Sequence, residues 1–283
     1  MPNRYISKGI IFMFGATMLF SVMQVLVKYL NHIPVYELIL FRAGISFVIC
    51  FGTIKSQGIS MLGNNKRLLL LRGLFGVASL SCFFYALQNA PLGSVVTIVN
   101  IKPLLILVVA MIWLKETVLP RQWLFFSISF LGILFMERFD SRIDPIELAS
   151  IIGAAFFASI AHSIVRKLKQ TDKPIVILFY FTLITLPIAG PLSYYYWVTP
   201  VGLEWLILLS IGLITHFAQL LLTMAYQADK VANVSNMYYL GIVFAFGFGY
   251  LFFDEHYGVM SIVGMLLVLI GIFSNIFLVK KEA

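Results

Sequence analysis

The sequence predicts an all-α polytopic membrane protein, with ten transmembrane helices arranged as two inverted five-helix repeats. Three observations carry that prediction. Of 283 residues, 61% are hydrophobic and only 11% charged, at a mean hydropathy of +0.97. A soluble domain carries about a quarter charged residues, and so sparse a polar complement cannot coat a water-facing surface. The apolar residues gather into ten stretches, each near the roughly 20 residues that cross a hydrocarbon core about 30 Å thick. Finally, the chain matches itself when displaced by 139 residues.

The apolar stretches run over 8–30, 36–54, 68–88, 92–114, 121–137, 148–169, 175–197, 203–226, 231–253 and 258–279. The first resembles a signal peptide in its charged start (Arg4, Lys8) and apolar centre (Gly9 to Met23), but no A-x-A site follows, so it is expected to be retained as the first span. The longest polar connections, 55–67 and 138–147, leave no room for a soluble domain. Pro187, Gly190 and Pro191 interrupt the seventh stretch, while Gly247 and Gly249 bare the backbone of the ninth. Such points act as hinges or permit close packing, and packing is the expectation for the glycines. Cys50 and Cys82 sit in apolar runs with neither disulfide nor metal-ligand spacing.

A net charge of +8 raises nucleic acid as a partner, so the placement of the basic residues decides. Arg4, Lys8, Lys55, Lys66, Arg67, Lys115, Arg121, Arg166, Lys167, Lys169, Lys173, Lys230, Lys280 and Lys281 all fall on one side of an alternating ten-span topology. The other side holds Arg138 and Arg142, diluted by Asp140, Asp144 and Glu147, with Lys28 at a helix end. The positive-inside bias therefore predicts a multi-pass protein of the cytoplasmic (inner) membrane with both termini cytoplasmic. The lipid bilayer is the partner, not nucleic acid. Trp113 and Trp123 at the inner boundary, and Tyr194, Tyr195, Tyr196, Trp197 and Trp205 at the outer one, agree.

The displacement by 139 pairs Lys28 with Lys167, Gly73 with Gly212, Gln88 with Gln227, Glu116 with Glu255 and Gly132 with Gly271. It defines two units, 8–137 and 148–279. Five crossings are an odd number, so the second unit enters the membrane from the opposite side. Inverted repeats hold a substrate near the midplane and expose it alternately as one half rocks against the other.

Two copies of one pattern now carry a resemblance. The first reads Tyr85-Ala86-Leu87-Gln88, Ala90-Pro91-Leu92-Gly93, Pro103, Leu114-Lys115-Glu116 and Leu131-Gly132-Ile133; the second reads Ala225-Tyr226-Gln227, Phe253-Asp254-Glu255 and Ile270-Gly271-Ile272. By their order and spacing the chain resembles the drug/metabolite transporter superfamily, specifically its EamA-type ten-helix carriers. The resemblance covers nearly the whole chain. It implies a carrier of small organic solutes, commonly an exporter, with a central cavity lined by both halves. Ile242 stands where the first copy has Pro103, which leaves open whether the ninth span bends as the fourth does. A weaker likeness, around Leu178-Phe179-Tyr180 and Trp197-Val198-Thr199-Pro200, is to the S-adenosylmethionine carriers of intracellular bacteria.

Lys102 lies mid-span in the fourth stretch, where a charge costs about 2.5–3.5 kcal/mol on insertion scales, so it is expected to face a polar cavity. It is read as a cationic anchor for a carboxylate or phosphate; the alternative is a lysine held by backbone carbonyls that Pro103 loosens. Arg42, seven residues into the second span, either projects inward or reaches the headgroups. Its neighbour Glu37 is five positions away, about 140° around the axis, which is poor pairing geometry. Arg72 starts the third span and reads as a topology anchor. His216, Gln219, Thr223 and Gln227 recur at i, i+3, i+7 and i+11 on the eighth span, and Ser235, Asn236 and Tyr239 make a second stripe on the ninth. Such stripes line a cavity or stitch helices together. Thr97 and Asn100 share a side, yet Lys102 points about 200° away from Asn100 on an unbroken helix, so Pro103 reorients the turn or one of them is structural.

The candidate substrate-binding residues are thus Lys102, Arg42, Asn100, His216, Gln219, Asn236 and Tyr239, and the candidates for proton coupling are Glu37 and His162. Gln24 and a lone His162 also serve as ordinary interhelical donors. No carboxylate lies deep in the membrane, whereas Lys102 and Arg42 do, so an anionic or zwitterionic metabolite such as an amino acid or organic acid is expected as cargo. No metal or cofactor is implied, since His32, His162, His216 and His256 are scattered in depth. A membrane-embedded enzyme needs a nucleophile and base, or paired carboxylates, at one depth, and none converge here. A scaffold leaves the intramembrane Lys102 and the polar stripes without a purpose. A monomer suffices for such a carrier, and an oligomer is equally compatible.

Overall fold

The computed structural model describes residues 7–30, 32–89, 95, 98–136, 144–253 and 258–278. Arg4, Ala90 to Gly93, Thr97, Arg138, Asp140, Arg142, Asp254, Glu255, His256, Lys280 and Lys281 lie outside the described residues, as do the side chains of Lys28 and Gln88. Among the described residues there is helix and no strand. The helices are α1 (Lys8–Tyr29), α2 (Val35–Ser56), α3 (Lys66–Asn89), α4 (Lys102–Val109), α5 (Pro120–Met136), α6 (Pro145–Lys167), α7 (Pro174–Tyr195) and α8 (Glu204–Ala228). The ninth span is split into α9a (Val231–Ser235), a 3-10 turn (Asn236–Tyr239) and α9b (Leu240–Phe253), before α10 (Val259–Leu278). Five of these (α1, α2, α6, α7 and α8) are by length and composition alone long and apolar enough to cross a membrane.

Local chemistry sets the boundaries. Ser7 caps α1 by accepting from the Ile10 N–H at 3.3 Å. Asp144 and Glu147 form a capping box on α6, the Asp144 N–H donating to Glu147 Oε2 at 3.0 Å. Pro120, Pro145 and Pro174 open α5, α6 and α7, where the missing N–H has no intrahelical partner to lose. The interruption expected at Pro187 and Pro191 does not occur, because α7 runs through both as one helix. A Cβ added at Gly190 or Gly247 would meet nothing within 4 Å, so close packing is not what these two glycines serve.

The packing is two-fold. The interface of α1 with α8 is matched by that of α6 with α3, that of α2 with α8 by that of α7 with α3, and that of α4 with α6 by that of α9b with α1. The mates α2 and α7 pack on each other, as do α5 and α10. Glycine contacts repeat this at atomic scale. A Cβ on Gly73 would collide with the Ile184 side chain, and one on Gly212 with that of Ile45, and both pairs are related by the 139-residue displacement. A Cβ on Gly132 would lie 2.5 Å from the Gly264 carbonyl, and one on Gly271 2.6 Å from that of Phe125, again exact mates. Ser129 and Val268, also mates, meet across the axis, the serine hydroxyl donating to the carbonyl at 3.5 Å.

These contacts also fix direction. From Gly132 back to Phe125 along α5, the partner on α10 advances from Gly264 to Gly271. The mates are antiparallel, so the two-fold axis lies across the helices and the two halves are inverted, as the odd number of spans requires. Tyr194, Tyr195, Tyr196, Trp197 and Trp205 are all exposed around the α7–α8 connection, as expected of a boundary belt.

Candidate functional site

Where α2, α3, α7 and α8 converge, they enclose a narrow cavity lined by Arg42, Ser46, Phe181, Thr182, Thr185, Thr215 and Gln219, with apolar closure from Leu80 and Leu178. Arg42 and Ser46 are one helical turn apart and so share the inward face of α2. The cavity volume is about 10 Å³, close to the minimum for a single water. This conformation is therefore contracted, and a metabolite enters only if the halves separate.

Lys102 approaches from another element. The fourth span turns at Asn100 and Ile101, where the Ile101 N–H donates to the Ile98 carbonyl at 3.0 Å, and helix resumes at Lys102. Pro103 explains the break, since it has no N–H to continue the helical ladder. The turn removes the objection that an unbroken helix cannot orient Asn100 and Lys102 together. The ninth span breaks at the mate position, in the 3-10 turn Asn236–Tyr239, without any proline. Paired discontinuous helices at repeat mates are what a midplane binding site is built from.

The Lys102 Nζ lies 3.6 Å from the centre of the Tyr238 ring, a contact worth about 0.5–2 kcal/mol. Tyr238 is also within electrostatic range of Arg42, on the cavity wall. His162 stacks on Tyr226 at 5.1 Å, and both Lys102 and Arg72 act on it through space.

Arg72 is a correction. It is only 2% exposed and packs over Phe181 at 4.7 Å, so it is an interior residue and not the boundary anchor expected from its place in the span. A rise of about 1.5 Å per residue puts it roughly a turn and a half below Lys66.

The other candidates divide. Gln219 lines the cavity, and His216 shares its Nδ1 with the Ser46 hydroxyl at 2.9 Å on the same wall. Thr223 donates to the Gln219 carbonyl of its own helix, and Gln227 donates to the Asp172 carbonyl at 3.0 Å near the basic end of the bundle. Asn236 donates to the Gly271 carbonyl on α10 at 3.0 Å, and Tyr239 meets Phe126 of α5 edge-on. Those two contacts hold the broken ninth span against α10 and α5, while the buried Asn236 Oδ1 and Tyr239 hydroxyl have no hydrogen-bond partner. Asn100 is buried beside the break. Glu37 accepts from the Val198 N–H at 3.1 Å, a partner from another element, while Arg42 turns inward. Gln24 is exposed. Sequence reasoning missed Ser46, Thr182, Thr185 and Thr215; the Arg42–Ser46 spacing of four and the Thr182–Thr185 spacing of three were the available signals.

The basic end is sealed by a polar network. After α4 widens into a π-turn over Ala110–Leu114, Lys115 adopts φ 54°, which swings Glu116 back across the bundle. Its carboxylate accepts from Arg166 Nε at 2.8 Å and from the Val231 N–H at 2.9 Å, and Arg166 also donates to the Gln227 carbonyl at 3.1 Å. Asp172 accepts from the N–H groups of Asn64 at 2.6 Å and Asn65 at 3.1 Å. Glu116→Gln leaves Arg166 without its ion pair. Labelling of a cysteine at Thr223 by an aqueous maleimide from this end is expected to rise several-fold; unchanged labelling would mean that the pair seals nothing.

Two antiparallel halves, broken helices at mate positions and a contracted cavity between them define a multi-pass membrane carrier. The chain belongs to the EamA-like transporter family, whose model matches residues 7–138 and 146–277. It is 28% identical over 270 residues to a pseudopaline exporter of Pseudomonas aeruginosa (94% of this chain, 95% of that protein). It is 23% identical over 264 residues to an S-adenosylmethionine uptake transporter of Rickettsia prowazekii (93% and 90%). A solved structure matches at a TM-score of 0.85 and 17% identity, covering 97% of this chain and 99% of that one, which establishes a common fold. The protein is a transporter, not an enzyme.

Proposed function

We propose that the protein moves a small anionic or zwitterionic metabolite, such as an amino acid or organic acid, by alternating access. It works as an exporter in the cytoplasmic membrane with both termini in the cytoplasm. One observation carries the reading: the interior is cationic. Arg42 lines the cavity, and Lys102 sits on the Tyr238 ring, which is within electrostatic range of Arg42. The acidic residues among those described all belong to helix ends and connections: Glu37, Glu116, Asp144, Glu147, Asp172, Glu204 and Asp229. Lys102 and Arg42 hold the negative group, and Gln219, with His216 through Ser46, supplies hydrogen bonds. Asn100, Asn236 and Tyr239, buried at the two breaks, supply further hydrogen-bonding groups to the substrate. A proton-coupled cycle uses Glu37 or His162; a facilitator uses neither.

The likeness to an S-adenosylmethionine carrier favours a second reading, a nucleotide-derivative cargo. A sulfonium cation is disfavoured beside Arg42 and Lys102 by like-charge repulsion. Counterflow in proteoliposomes separates the two. Exchange of labelled amino or organic acids is the expected outcome, and exchange of S-adenosylmethionine alone would transfer the conclusion to the second reading. Absence of counterflow with any small metabolite would remove the carrier assignment for this class of cargo.

A further inference from the structure

We propose that Arg72 is a third anion-binding cation of the cavity, and that the cargo carries two or more carboxylate-type groups, all gripped by the first half of the molecule. The inference deepens the proposed carrier reading and rests on it for the word cargo, though not for binding. Arg72 is 2% exposed, and its Nε and Nη1 have no hydrogen-bond partner. A guanidinium has five donors, and a structural arginine in an interior is held by a carboxylate or by carbonyls that use them. Here the group lies over the face of Phe181, which itself lines the cavity beside Arg42. Its neighbour Gly76 leaves Nη1 the space it occupies, since a Cβ there would fall 2.5 Å from that nitrogen.

The three cations form one group. Arg42 lines the cavity beside Phe181 and Arg72 lies over that same ring, while Lys102, on the Tyr238 ring, is within electrostatic range of His162 together with Arg72. A monoanion would neutralise one of three charges and leave the rest uncompensated in a low-dielectric interior, whereas a di- or tricarboxylate matches the set.

The two-fold symmetry sharpens the assignment. The mates of Arg42, Arg72 and Lys102 are Phe181, Ile211 and Gly241. Every one of the three positive charges therefore comes from the first half, and each is absent from the corresponding place in the second. Facing them, the second half contributes neutral hydrogen-bonding groups on Thr182, Thr185, Thr215 and Gln219. The acidic end of the cargo points to the first half and its neutral polar end to the second.

The test measures binding to the purified full-length protein in detergent, by thermal unfolding, with acetate, succinate and citrate as probes at equal ionic strength. Stabilisation is expected to rise with valence, citrate above succinate above acetate. Arg72→Met is expected to weaken citrate binding at least ten-fold and acetate binding by far less, and Arg72→Lys to restore part of the loss. Arg72→Lys also serves as the reading should Arg72→Met fail to fold. Equal effects of the three probes, including no effect from any, would overturn the proposal, as would an unaltered valence order in both variants. Because no flux is measured, a protein that binds by valence yet shows no counterflow refutes the carrier reading and leaves this inference standing.

Discussion

Lys102→Ala is expected to abolish counterflow and to weaken substrate binding by at least ten-fold, with the protein still folded. Placing an ammonium mid-span costs about 2.5–3.5 kcal/mol on insertion scales, and the Tyr238 ring offsets about 0.5–2 kcal/mol of that. Among the described residues no carboxylate pairs with it, which is the condition under which an entering carboxylate gains most. A charge-assisted hydrogen bond contributes about 1.5–3 kcal/mol, and tenfold in affinity corresponds to about 1.4 kcal/mol. Removal of an under-compensated interior charge does not destabilise the fold, so gel filtration and thermal unfolding of Lys102→Ala are expected to match the parent. Parallel measurement of counterflow and unfolding decides the matter: unchanged flux removes Lys102 from the site, and loss of folded protein makes it structural.

Gly271→Leu is expected to remove most of the folded protein, and Gly132→Leu to act likewise. A Cβ at Gly271 would fall 2.6 Å from the Phe125 carbonyl and 2.9 Å from the Ser129 nitrogen, and one at Gly132 2.5 Å from the Gly264 carbonyl and 2.8 Å from the Val268 nitrogen. Those obstacles are helical backbone and cannot rotate away, so relief requires α5 and α10 to part. Overpacking typically costs about 1–3 kcal/mol and occasionally more; with helical backbone as the obstacle, the cost here is expected to approach the lower end of the about 5–15 kcal/mol net stability of a whole domain. Gly247→Leu, where a Cβ meets nothing within 4 Å, is the matched control and is expected to stay folded. Fluorescence-detected gel filtration of the three variants measures this; equal recovery of all three would refute the close approach of α5 and α10.

Much of this fold was legible in the sequence because two-fold symmetry leaves pairs. Gly132 with Gly271 and Gly73 with Gly212 matched at a displacement of 139, and both pairs turn out to be points of reciprocal contact. Lys102 was legible because depth along a span follows from counting residues. Rotation does not follow so simply. Arg72 reads as an anchor beside Lys66 and Arg67, yet the rotation of α3 turns it onto Phe181 in the interior. Asn236 and Tyr239 share a stripe with Ser235 only at about 100° per residue, and the 3-10 turn they occupy advances by about 120°, which directs them to α10 and α5. The α8 stripe kept its angular spacing, but it runs the length of the helix, so Gln219 meets the cavity while Gln227 meets Asp172 near the basic end. Thr215 went unread because a threonine in an apolar helix ordinarily bonds its own backbone.

The central claim is that two antiparallel halves share one cavity that opens to each side of the membrane in turn. The most direct test places a single cysteine at Gln219, in a background where Cys50 and Cys82 are replaced, and labels it with a membrane-impermeant maleimide applied from one side or the other. Labelling from both sides, blocked from both by the same bound metabolite, is the predicted result. Labelling from one side only under every condition, or substrate protection on one side but not the other, would contradict it.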